Sequence, residues 1–300
     1  MKYKNTPGNV AFNIVNYSIF IVFTVICIFP FYYIFINTVS SNDLVAKGKI
    51  LFYPIGFHLN NYVEVFKLRG LGQATFISIA RTVLGTLATL LGSTFLGYSF
   101  SKREYWRRTF WYRFVVVTMY FNAGLIPWFI IMKMLGFVNN FWAYVIPGLV
   151  VPFNMILFKT YVEQIPASLE ESAQLDGAGY LARLFKIIVP LSIPILATIA
   201  VFTSVGQWNS FLDTLFLMTK SNKFTLQFLL YQFLSEAEAL ARAMRESTAS
   251  KFQSYDRLKL LTPTSIRMTI TIVVTLPILL VYPYMQRFFI KGIMIGSIKG

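Results

Sequence analysis

Long apolar runs separated by short polar links make up most of this chain, and the runs set its class. A helix that crosses a bilayer needs about 20 predominantly apolar residues, because the hydrocarbon core is about 30 Å thick and a helix rises about 1.5 Å per residue. Six segments satisfy that length, over approximately Val10–Ile36, Ala74–Phe100, Phe110–Met132, Phe141–Tyr161, Ile187–Met218 and Ser265–Ile290. The pattern predicts an all-α membrane protein of about six transmembrane helices, working as a single domain over residues 1–300. The second segment is rich in small residues (Gly85, Thr86, Thr89, Gly92, Ser93, Thr94, Gly97). Such residues let helix backbones approach closely in lipid, which places this segment inside the bundle. The first segment follows Lys2 and Lys4 but is too long for the apolar core of a secretion signal, so it reads as an uncleaved span.

Composition agrees with that class. The chain is 56% hydrophobic and 13% charged, whereas a soluble domain has about 25% charged residues. The net charge of +15 fits basic headgroup contacts and cytoplasmic loops. A nucleic-acid groove does not fit, since the aromatic residues are spread through the apolar runs. Lys102, Arg103, Arg107 and Arg108 crowd the second link, with Glu104 the one acid among them. Lys2 and Lys4 mark the amino end, and Arg287, Lys291 and Lys299 the carboxyl end. Six crossings put all three basic regions on one side, and the positive-inside rule makes that side the cytoplasm. The stretch Leu234–Met244 reads as a short surface helix within a solvated outer loop between Thr219 and Pro263. Cys27 is the one cysteine and reads as a small buried side chain; His58 is the one histidine and sits in a polar loop without ligand-spaced partners. No metal or cofactor is implied. Tyr105, Trp106 and Trp111 read as interfacial anchors.

One polar stretch has its own punctuation, from Glu163 to Pro194 between the fourth and fifth spans. Ser168 followed by Glu171 has the spacing of a capping box, and Glu170 and Glu171 sit where a helix dipole favours acids. Gly177 is placed to end that helix in the left-handed conformation. A second helix starts near Ala178 and runs toward Pro190, giving a helix–turn–helix elbow. Leu169, Ala173, Leu181, Leu184, Phe185 and Ile188 supply its apolar contacts.

This elbow resembles the EAA loop of binding-protein-dependent ABC importer permeases. That pattern is Glu-Ala-Ala, three residues, Gly, nine residues, then Ile-x-Leu-Pro, and the chain has Glu171-Ser172-Ala173, Gly177 and Ile187-Ile188-Val189-Pro190 at those intervals. Ser172 and Val189 are the departures, both conservative in packing; Asp176-Gly177-Ala178 adds a core common in these permeases. Gln207-Trp208-Asn209 and the ending Tyr282-Pro283 through Arg287-Phe288-Phe289, Lys291-Gly292, Ile295-Gly296 and Lys299-Gly300 are similar to the carbohydrate uptake branch, MalG-like and LplC-type.

The resemblance implies a permease of the bacterial cytoplasmic membrane that works with a second permease chain, two ATPase subunits and an extracytoplasmic solute-binding protein, for a carbohydrate such as an oligosaccharide. It implies that Glu170, Glu171, Ser172, Ala173, Asp176, Gly177, Ala178, Phe185 and Pro190 form the ATPase-coupling element. No GxxxxGK[ST] sequence is present, so phosphates are not cradled here by that route. Polar residues inside spans are costly unless they face the interior or water. Asn122, Asn154, Thr203, Gln207, Trp208, Asn209 and Asp213 are therefore the candidates for the substrate pathway, with Thr203, Gln207, Ser210 and Asp213–Thr214 on roughly one helical face. The alternatives are an ABC permease for a non-sugar solute and an ion-coupled secondary transporter, which would place acids near the bilayer centre.

Overall fold

The computed structural model describes residues 7–246 and 264–297, with side chains described over 7–236 and 264–281. Every regular element among them is helical. In chain order these are α1 (Pro7–Thr38), α2 (Asn42–Ala46), α3 (Asn60–Lys67), α4 (Leu71–Ser101), α5 (Arg108–Thr118) and α6 (Leu125–Met134). Two 3₁₀ turns, Phe141–Tyr144 and Ile146–Gly148, lead into α7 (Pro152–Val162). Then come α8 (Ala167–Leu175), α9 (Tyr180–Arg183), a π-helical turn Leu184–Ile188, α10 (Val189–Leu191), α11 (Ile193–Asn209) and α12 (Leu212–Leu217). The last two helices are α13 (Leu226–Glu246) and α14 (Thr264–Ser297).

The chain divides into two compact units, one of Met1–Leu68 with Phe233–Val274 and one of Arg69–Gln232 with Thr275–Gly300. In the first, α1 presents apolar side chains outward along almost its whole length, as a lipid-facing helix does. Cys27 lies on that exposed surface rather than in a core. The carboxyl end of α1 is the buried part. Its last carbonyls need partners, and Asn61 Nδ2 donates to the Thr38 carbonyl at 2.9 Å while Ser40 Oγ donates to Ile36. A small core of Ile36, Val45 and Ile50 closes over the same end, with Leu44 and Met268 against it.

In the second unit α4 is the axis, with α7 and α11 packed along it. The small residues explain how closely they approach. A Cβ built on Gly92 would stand 2.0 Å from the Leu149 carbonyl oxygen, and one on Gly97 would stand 3.0 Å from the Met155 carbonyl oxygen and 2.9 Å from the Phe158 ring. Two apolar clusters fill the space around this axis. Ile77, Met132, Tyr144, Val145 and Leu217 form one, and Tyr98, Phe158, Val162, Leu184, Ile188 and Ile199 the other.

Three helices are long and apolar enough to cross a membrane, and two bent pairs raise the number of candidate spans to as many as five among the described residues. The fourth expected span is bent by 42° between Phe141–Gly148 and Pro152–Val162, where Pro147 and Pro152 remove backbone donors. The fifth is bent by 81° between Tyr180–Leu191 and Ile193–Asn209, around Pro190, Pro194 and the π turn. The third, expected over Phe110–Met132, is divided into the 11-residue α5 and the 10-residue α6. Its break has turn chemistry: Gly124 has φ +83°, and its N–H donates to Asn122 Oδ1 at 2.9 Å. Hydropathy alone reads through such a turn. The helix expected over Leu234–Met244 begins earlier, at Leu226, whose N–H donates to Ser78 Oγ of α4 at 2.8 Å; side chains beyond Glu236 lie outside the described residues.

Gly97→Val should destabilise the protein by about 2 kcal/mol or more, since overpacking a tight contact forces backbone shifts. Gly72→Ala, where a Cβ meets nothing within 4 Å, should leave stability within about 0.5 kcal/mol. Thermal unfolding of the purified variants in detergent checks both.

Candidate functional site

The elbow forms, with a different start from the one its sequence predicts. Pro166 is the N-cap of α8, so Ser168 lies inside the first turn and its side chain caps nothing. Pro is favoured where a helix starts because its missing N–H would be unsatisfied there anyway. The capping box of Ser168 and Glu171 is therefore not made, and the Ser168 carbonyl instead accepts from Ser172 Oγ at 2.9 Å. The other end follows the sequence closely. Gly177 has φ +81°, its N–H donates to Gln174, and the Ala178 N–H donates to Ala173 at 2.9 Å. These are the paired hydrogen bonds of a Schellman motif, which closes the carbonyl end of α8 with a left-handed residue. Arg183 Nη1 donates to Gln174 Oε1 at 2.9 Å and ties α9 back to α8.

Exposure sorts the coupling residues. Glu171, Ser172, Asp176, Gly177, Phe185 and Pro190 are exposed, and Ala173 and Ala178 are half-buried. Leu175 between the acids is 89% exposed. Glu170 is different: it is 8% exposed and turned inward onto α4, where Tyr98 Oη donates to it at 2.8 Å and Lys102 forms an ion pair. Leu169 and Leu181 are also exposed, contrary to their expected packing role. Leu184 and Ile188, in the π turn after α9, do pack as expected, in the cluster with Tyr98, Phe158, Val162 and Ile199. Arg108 and Lys159 both reach Glu163, each at 2.7 Å, and join the basic second link to the end of α7.

A cavity of about 470 Å³ opens among α4, α7 and α11. Asn154, Thr203, Gln207 and Asp213 line it together with Ser210, Trp128, Tyr144 and Phe202. Three other pathway candidates lie elsewhere. Asn122 caps the turn before α6, Trp208 is buried outside the lining, and Asn209 is exposed and accepts from Gln227 Nε2 at 3.3 Å.

Arg81 dominates the cavity, and sequence reasoning passed over it. It is 2% exposed, on α4. Nη2 and Nη1 donate to the Asp213 carboxylate at 2.6 and 3.1 Å, Nε and Nη2 to Gln207 Oε1 at 3.2 and 3.0 Å, and Nη1 to the Ser210 carbonyl at 3.2 Å. The guanidinium carbon also stands 4.4 Å from the Tyr144 ring centroid. These five contacts engage the whole donor fork, so the positive charge is balanced by Asp213 and held in place. Gln207 Nε2 donates to the Tyr144 carbonyl at 3.2 Å, and Asn154 Nδ2 to Thr203 Oγ1 at 3.3 Å. The signal was available, because an arginine within a span is expensive without a named partner. The cavity thus offers hydroxyl and amide groups beside aromatic rings, on a wall without net charge. Among the described residues no cluster of three His, Cys, Asp or Glu can hold a metal.

An all-helical chain of candidate spans, with an exposed elbow at one end of a bent span and a polar cavity along it, is a solute permease. The family model described as "Binding-protein-dependent transport system inner membrane component" matches residues 90–295, and the chain belongs to that family. It is 32% identical to the polygalacturonan/rhamnogalacturonan transport system permease protein YtcP of Bacillus subtilis, over 97% of this chain and 99% of the relative. It is 33% identical to the protein LplC of Bacillus subtilis, over 99% of this chain and 97% of the relative. Among solved structures it is similar to a chain of a bacterial ABC transporter involved in the import of the acidic polysaccharide alginate. The TM-score is 0.82 at 28% identity, over 95% of this chain and 99% of the other. The chain is accordingly a multi-pass inner-membrane permease component, and ATP hydrolysis belongs to a separate subunit. Such a system includes an ATPase, a solute-binding protein and a partner permease.

Asp213→Ala, which leaves Arg81 buried and unpaired, should cost about 3–5 kcal/mol. The double variant R81M/D213L should regain most of that loss, because it removes both charges at similar volume. Thermal unfolding of the three proteins measures it.

Proposed function

We propose that this chain is one of two homologous permease subunits of an ATP-driven importer for an oligosaccharide delivered by an extracytoplasmic binding protein. In this reading residues 1–300 work as one transmembrane domain of six crossings, with α5 and α6 together making the third. Both termini face the cytoplasm, which the basic second link and chain ends support through the positive-inside rule. Lipid and the second permease cover the outward apolar side chains. The similar proteins support the carbohydrate class, since YtcP is a polygalacturonan/rhamnogalacturonan permease and the similar solved structure is of an importer of alginate. The cavity supports it independently. Sugar recognition uses hydrogen-bonding groups beside an aromatic ring, and Asn154, Thr203 and Gln207 lie with Trp128 and Tyr144 around one space.

The elbow is the socket plug for the ATPase. Glu171 and Asp176 offer exposed charge, Leu175 offers an exposed apolar knob, and Gly177 sets the turn that presents them. The observation that carries this reading is the left-handed, Schellman-closed Gly177 at the glycine of the EAA spacing. Two copies of the ATPase, one per permease, would push on α7 through one arm and on α11 through the other, and alternate the cavity between the two sides of the membrane.

Gly177→Val requires a β-branched residue at φ +81°, a cost of about 1–2 kcal/mol or more that unwinds the turn. In the reconstituted importer, ATP hydrolysis stimulated by the loaded binding protein should be abolished, while the affinity of the binding protein for its oligosaccharide stays unchanged. Normal stimulation in this variant would remove the docking role.

A further inference from the structure

The acids of the elbow separate into two groups by direction. Glu171 and Asp176 face outward, whereas Glu170 turns onto α4. There it accepts from Tyr98 Oη at 2.8 Å and pairs with Lys102, whose Nζ also lies 4.7 Å from the Tyr98 ring centroid. The three groups make a closed cluster at the carboxyl end of α4. The elbow is joined through the chain to α7 on one side and α11 on the other, but not to α4. Apolar contacts also bridge the gap, with Phe185 edge-on to Phe95 at 5.7 Å and Tyr98 packed with Leu184 and Ile188. Apolar contact is non-directional, whereas a charge-assisted hydrogen-bonded pair fixes geometry.

We propose that Glu170 is a positioning residue for transport: it hooks the elbow to α4, so that displacement of the elbow carries the central helix with it. The inference rests on the reading that the ATPase moves the elbow. Its consequence reaches the cavity. Arg81 and Thr89, which line it, stand on the same helix as Tyr98, with about 25 Å of helix between Arg81 and Tyr98. A shift imposed at Glu170 is therefore delivered to the Arg81–Asp213 pair on the cavity wall.

The test uses the whole importer with its binding protein in proteoliposomes, and reads solute imported per ATP hydrolysed beside ATPase co-purification and thermal stability. Glu170→Gln and Lys102→Met should each lower import per ATP about tenfold, the equivalent of one charge-assisted hydrogen bond. Both should retain the ATPase at the native ratio, and Lys102→Arg should restore coupling. The double variant E170Q/K102M should do no worse than the poorer single, because both act through one contact. Native import per ATP in the two single variants would overturn the proposal, as would additive losses or release of the ATPase by E170Q. Should E170Q fail to accumulate, K102M at a more exposed position carries the same test. Gly177→Val tests the docking reading and import per ATP in the Glu170 and Lys102 variants tests the hook, so the two can fail separately.

Discussion

Close backbone approach along α4 is the constraint on which the second unit depends. Lipid tails are as apolar as leucine, so burial of apolar surface does not drive helices together in a membrane, and packing at small residues has to. Gly92 against the Leu149 carbonyl and Gly97 against α7 set the spacing. With that spacing fixed, Thr89 Oγ1 reaches the Gly148 carbonyl at 2.6 Å, and the cavity opens where the partners diverge. The bends at the breaks come from Pro147, Pro152, Pro190 and Pro194. They free backbone groups at membrane depth, which is tolerated where protein or a cavity receives them.

A central helix built in this way carries a charge in its interior, and that charge defines the cavity. Arg81 is satisfied by Asp213, Gln207 and the Ser210 carbonyl, so the wall has polarity without net charge. In the proposed reading a neutral wall that presents hydroxyl and amide groups suits a substrate that has to leave again, since strong fixed charge would retain an oppositely charged solute. The opposite end of the same helix holds Glu170 through Tyr98 and Lys102. One helix thus carries both the Arg81 of the cavity wall and the Tyr98 and Lys102 contacts to the elbow.

Much of this was legible in the sequence, and the failures have physical causes. The positions of α1, α4 and α14 follow from uninterrupted apolar length, and the left-handed Gly177 from its place at the end of a short helix. Thr203 and Gln207 were found together because one face of α11 groups them, whereas that helix ends at Asn209, so Ser210 in the extended link and Asp213 in α12 reach the same cavity by a break in the helix rather than along one face. The break between α5 and α6 was missed because Asn122 and Gly124 form a turn that averaged hydropathy cannot register. Asn122 was consequently read as a pathway residue. Ser168 looked like a cap until Pro166 claimed that position. Glu170 and Glu171 are adjacent acids that sequence treats alike, and only the packing of α8 against α4 distinguishes the buried one from the exposed one. Arg81 was overlooked because its partners lie more than a hundred positions away in the chain. The similar ending from Tyr282 onward has its side chains outside the described residues.

The central claim is that the elbow faces the cytoplasm and meets the ATPase there. The chain has a single cysteine, so a Cys27→Ser background with Asp176→Cys provides one defined thiol. Side-specific labelling and thiol cross-linking in the assembled importer then read its surroundings directly. The account predicts modification from the cytoplasmic side alone and a cross-link to the ATPase subunit. Modification of that cysteine by an impermeant reagent from outside the cell, with no cross-link to the ATPase, would contradict it.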